Sequence, residues 1–118
     1  MAGSEGLIVH LLPPPDWDAA RNSGEYRASS LESVGFIHFS RPEQIVEVAN
    51  RYYPDAPDLV MLWVNPTRLR DEVRWAQNAD GVFPHLYGPL NLDAVIAAVD
   101  FKPDADRVYR SLPKPPET

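Results

Sequence analysis

Residues 35–40 read Gly35-Phe36-Ile37-His38-Phe39-Ser40. As a strand, this stretch turns Phe36, His38 and Ser40 to one face and Ile37 and Phe39 to the other, because side chains alternate with a period of two. A histidine and a hydroxyl therefore share a face where the strand is expected to run into a helix. The remaining histidines keep similar apolar company, in Leu7-Ile8-Val9-His10-Leu11-Leu12 and in Val82-Phe83-Pro84-His85-Leu86-Tyr87-Gly88-Pro89-Leu90. The three segments are expected to meet as one pocket.

Working outward, Leu7 to Leu12 is an apolar run closed by prolines, which predicts a buried strand with Leu7, Val9 and Leu11 on one face and Ile8, His10 and Leu12 on the other. Asp16 is expected to cap a short helix that carries Trp17, Ala20 and Arg21 and stops at Gly24. Glu25 to Glu32 has no clear period and reads as irregular. Ser40-Arg41-Pro42-Glu43 fits a capping box with Ser40 as cap, followed by the helical stripe Ile45, Val48, Ala49 and Tyr52, so a helix is expected to about Tyr53. Leu59 to Val64 is the longest apolar run and predicts a central strand covered on both faces. Asn65-Pro66 starts a single helical turn, with Asn65 as cap. Glu72 to Ala76 suggests another strand, and Asp80-Gly81 a hairpin turn into Val82 and Phe83. Asn91 to Ala94 reads as a turn, and Val95 to Phe101 fits a strand or a helix, with the β-branched Val95, Ile96 and Val99 favouring a strand. The sum is an α+β chain with two short helices in the N-terminal half. Its predicted organisation is a flexible 1–6, one globular domain over 7–103 and a partly loose, proline-punctuated tail over 104–118.

Bulk properties exclude several classes of function. With 118 residues, 44% hydrophobic and 24% charged, the chain has the make-up of a globular domain with its own core. A net charge of −6, with dispersed Lys and Arg, argues against strong nucleic-acid binding, which needs a basic stripe. Cysteine is absent, so disulfides, thiolate metal sites and cysteine nucleophiles are excluded, which fits a cytoplasmic protein. No apolar run approaches the roughly 18–20 residues that span a bilayer, and no signal-peptide pattern opens the sequence. The expected partner is a small-molecule ligand, and no pattern in the sequence sets an oligomeric state.

Three histidines invite a metal reading, but they stand 28 and 47 residues apart without the close pair that ligand sets usually contain, so no metal site is predicted. A Ser40–His38 nucleophilic pair fails on geometry, since strand neighbours at i and i+2 project in parallel, and no Gly-x-Ser-x-Gly elbow is present. The segment from Phe83 to Pro89 offers more. His85 and Tyr87 would share a face, and Gly88 before Pro89 leaves backbone open to close approach by a ligand.

Ile8-Val9-His10, Gly24-Glu25-Tyr26, Gly35 to Ser40, Val48-Ala49-Asn50-Arg51, the Leu59 to Pro66 strand and turn, and Pro84 to Leu90 together resemble a family of small bacterial proteins known as domain of unknown function 952. The order of elements is more distantly similar to the ADP-ribosyltransferase superfamily, and most like its tRNA 2′-phosphotransferase branch, in which split antiparallel sheets clasp NAD or ADP-ribose. That resemblance implies a cleft that binds a nucleotide or an ADP-ribose/NAD-like ligand. His10 would orient the ligand, Ser40 would line the cleft, Tyr87 would stack on a ring, Gly88 would approach the ligand, and Arg51, with Arg27 and Arg41, would stand nearest a phosphate. His38 and His85 would be the catalytic candidates for transfer or hydrolysis. The usual catalytic Glu has no counterpart between Pro84 and Leu90. The alternative reading is a non-catalytic small-molecule-binding or structural domain.

Overall fold

Leu59-Val60-Met61-Leu62-Trp63-Val64 forms a strand in which every residue is buried, as its unbroken apolar run requires. A computed structural model of the chain describes residues 6–54 and 58–113. The strands are β1 (Ile8–Leu12), β2 (Glu25–Tyr26), β3 (Ile37–His38), β4 (Leu59–Val64), β5 (Val73–Asn78), β6 (Gly81–Leu86), β7 (Leu90–Asn91) and β8 (Val95–Phe101). The helices are α1 (Pro14–Ser23), α2 (Ser30–Ser33) and α3 (Ile45–Tyr52). One antiparallel sheet has the order β1-β4-β8, a second β3-β6-β5, and β2 pairs with β7. The first two sheets meet through an isolated bridge, in which Val9 and Ser40 exchange both backbone hydrogen bonds at 2.8 and 2.9 Å.

The alternation expected of the first strand is the one observed. Ile8 and Leu12 join Leu62, Val64, Tyr26, Ile37, Phe39 and Leu86 in one apolar layer. Leu7, Val9 and Leu11 join Ile45, Ala49, Met61, Trp63 and Phe101 in the layer on the opposite face of the sheet. Each fully buried aliphatic or aromatic side chain contributes about 1.5–3 kcal/mol relative to its exposed state. The Asn65 side chain accepts from the Thr67 amide, so the single turn after β4 is capped as expected. The β5–β6 hairpin turns through Ala79 and Asp80, and Gly81, which opens β6 opposite Asn78, has a φ of 131° that is open to glycine alone.

Four expectations need correction. Helix α1 begins at Pro14 with Pro13 as its N-cap, because a proline already holds the φ of a first helical turn, so Asp16 lies inside that turn. Ser40 is not the cap of the following helix. Its backbone is spent on Val9, and the Arg41 amide donates instead to Gln44 Oε1 at 2.8 Å, opening a 3-10 turn, Pro42–Gln44, that leads into α3. The segment read as irregular holds both β2 and α2, so three helices, not two, precede the central strand. The core also runs past Pro103. Tyr109 is buried, stacks on Phe101 at 4.7 Å, and is held through its backbone by both ends of the Asn50 carboxamide at 2.7 and 2.8 Å. Most of the N-terminal stretch expected to be flexible, and residues 114–118 of the tail, lie outside the described residues.

Candidate functional site

His10 projects from β1 on the same face as Ile8 and Leu12, and almost all of its surface is covered. Its Nδ1 lies 2.5 Å from the His38 carbonyl oxygen, which can only accept, so Nδ1 carries the proton. Nε2 is then the acceptor, and the Tyr26 hydroxyl donates to it at 3.1 Å. Burial, the largest effect, drives the His10 pKa down to about 4, so the ring is neutral at pH 7. The Tyr26 and Phe39 rings pack on it with centroids at 5.2 and 5.3 Å. Both ring nitrogens of His10 are thus used inside the protein, and it acts on its surroundings through Tyr26.

Cross-strand pairing builds the second element of the site. His38 of β3 stands opposite His85 of β6, and the two rings lie edge to face at 5.5 Å. Phe36 stacks on His85 at 4.0 Å with only 10° between the planes, and meets His38 edge-on at 4.9 Å. Desolvation lowers the pKa of both histidines, and the neighbouring His38 adds to the effect on His85. This wall is therefore uncharged near neutral pH.

Floor and wall open into one cleft of about 1360 Å³, lined by His10, Tyr26, Phe36, His38 and His85, with Ser40 among its further residues. The three histidine segments do come together. Other predicted site residues do not join them. Arg51 ion-pairs with Asp80, on the tip of the β5–β6 hairpin. Tyr87 packs beside Phe36, with the Arg74 guanidinium over its ring at 4.7 Å, so its face is occupied. The close approach at Gly88 is made by the chain itself, since a Cβ there would collide with the Asp71 side chain. Sequence reasoning assigned no site role to Tyr26, Phe36 or Asp16, all of which line the cleft. The shared strand parity of Phe36 and His38 was the available signal for one of them; nothing local announces the partnership of Tyr26 and His10, 16 residues apart. Among the described residues, no group of three or more His, Asp or Glu side chains is placed to hold a metal ion. No helix among them is long and apolar enough to cross a membrane.

Short antiparallel sheets, two of them bridged at Val9 and Ser40, with the α-helices of the described residues all before β4, define a mixed α+β protein with a histidine-lined cleft. Residues 11–98 match the family described as "Protein of unknown function (DUF952)", and the chain belongs to that family. It is similar to the crystal structure of protein CC0527 from Caulobacter crescentus, with 34% identity and a TM-score of 0.80 over 88% of this chain and 93% of that one. A double-mutant form of CC0527 gives 33% identity with the same TM-score and coverage. The solution NMR structure of CC0527 gives 34% identity and a TM-score of 0.77 over 89% and 92%. No curated protein matches the chain.

Proposed function

We propose that this chain is a small-molecule-binding domain whose cleft takes a nucleotide or a nucleotide-like ligand, in the manner of an ADP-ribosyltransferase-like fold. The observation that carries the reading is the meeting of three sequence-distant histidines in one aromatic-lined cleft. Its volume of about 1360 Å³ leaves room for a nucleotide, and planar bases stack readily on aromatic side chains. Neutral imidazoles at His38 and His85 each present one donor and one acceptor, the pattern that base edges and ribose hydroxyls complement. Two antiparallel sheets flanking the cleft, with a histidine on the first strand, favour the likeness to that fold.

A second reading is transfer or hydrolysis at ADP-ribose or phosphate. It is favoured by His38, which is exposed and neutral near pH 7 and so suited to accept a proton, with His85 beside it. Titration of 15N-labelled protein with NAD, ADP-ribose and ribonucleotides tests the binding claim. Shifts confined to Tyr26, His38, His85 and their neighbours are expected, and unchanged spectra at millimolar ligand would sink it. Product analysis after incubation with NAD or ADP-ribose tests the second reading, with turnover expected to vanish in His38→Ala.

A further inference from the structure

A nucleotide offers two handles, a donor-bearing nucleoside and a phosphate anion, and the hydrogen-bond directions and charges of the cleft favour the first. His10 Nδ1 gives its proton to the His38 carbonyl, so His10 Nε2 must take the proton of the Tyr26 hydroxyl. Toward the cleft, Tyr26 therefore has only oxygen lone pairs left and acts as an acceptor. Asp16 lines the same cleft and has no cation within ion-pairing distance among the described residues. Its charge reaches both Tyr26 and Tyr53, whose hydroxyls are pushed up chiefly by desolvation and further by Asp16. Both features ask for a hydrogen-bond donor from the ligand.

Charge around the rest of the lining points the same way. Arg27 is the one arginine in the lining, and Glu25 already holds its guanidinium at 2.5 Å; of the other lining carboxylates, Asp80 is paired with Arg51, while Asp16 and Glu32 have no ion-pair partner among the described residues. The histidines add no positive charge near pH 7. A phosphate entering here would give up its hydration and meet Asp16 and Glu32 without a free cation, which is selection by repulsion.

We infer that the cleft grips the unphosphorylated nucleoside end of its ligand, with an amino, amide or ribose O–H donor seated on the Tyr26 hydroxyl oxygen, and that Asp16 and the acidic rim turn phosphate away. This rests on the nucleotide-like reading above.

Calorimetric titrations at pH 7 with adenosine, guanosine, cytidine and uridine, and with their 5′-diphosphates, provide the test. At least one nucleoside is expected to bind about tenfold or more tightly than its diphosphate, a difference of one decade in Kd. Asp16→Asn, on an exposed helical turn, should narrow that gap by improving the diphosphate. Tyr26→Phe should weaken the nucleoside about tenfold, the loss of one good hydrogen bond, with circular dichroism confirming that the variant is folded. A diphosphate that binds as tightly as its nucleoside, or a gap unmoved by Asp16→Asn, overturns the inference and leaves the nucleotide-like reading standing. Failure of both series at millimolar concentration, with NAD and ADP-ribose also silent, overturns that reading itself.

Discussion

Strands β4 and β6 are both six residues long and both central in three-stranded antiparallel sheets, yet their surroundings differ completely. Every residue of β4 is buried. Along β6 only Pro84 and Leu86 are buried, while Val82 is exposed and Phe83 and His85 are half-covered. An apolar layer lies on each face of β4, whereas β6 is covered on one face and lends the other to the cleft. Position within a sheet thus fixes hydrogen bonding but not environment. Pro84 illustrates the point: a central strand normally excludes proline. Its carbonyl accepts from the Phe39 amide at 3.0 Å, and the N–H it lacks would face the same way, where the chain leaves β3 to bridge to β1.

The contrast can be broken by experiment. Its largest expected effect is Leu62→Ala in β4, a fully buried site, where about 2–5 kcal/mol should be lost in urea unfolding. His85→Ala in β6 should lose only the value of its stack on Phe36, about 0.5–1.5 kcal/mol. Equal losses would mean that the cleft wall is as structural as the core.

Acid provides the next test, through the histidine that belongs to both regions. His10 is held near pKa 4 when folded and has the ordinary 6.5 when unfolded. Above pH 6.5 neither state carries the proton, and the contribution of neutral His10 is intact. As pH falls from 6.5 toward 4, the unfolded chain takes up the proton first, so stability is lost, by an amount on the order of 3 kcal/mol from this group alone. Urea midpoints measured across that window should fall steeply in the wild type and less in His10→Phe. NMR titration should show His38 and His85 protonating before His10.

Tyr26→Phe should follow in size. It strips the donor from buried His10 Nε2, and an unsatisfied buried acceptor costs about 1–3 kcal/mol. The smallest effect expected is Arg51→Ala, which removes a solvent-exposed ion pair to Asp80 and should leave the thermal midpoint almost unchanged. A drop comparable to that of Leu62→Ala would show that the hairpin tip, and not β4, holds the two sheets together.

The sequence by itself determined whatever depends on neighbouring residues. Alternation assigned Ile8 and Leu12 to one face of β1 and Val9 and Leu11 to the other, the unbroken apolar run of β4 placed it at the centre, and Asn65-Pro66 and Asp80-Gly81 marked their turns. These follow from strand periodicity, hydrophobicity and backbone sterics, which act over a few bonds. Only the tertiary structure decided that His38 faces His85, that the Tyr26 hydroxyl finds His10, that Tyr87 and Gly88 are taken up by Arg74 and Asp71, and that Tyr109 returns to the core. Each of these is a pairing across many residues, set by strand register and by where long loops close. A shift of one residue in β3 against β6 would leave every local pattern intact and dismantle the histidine wall.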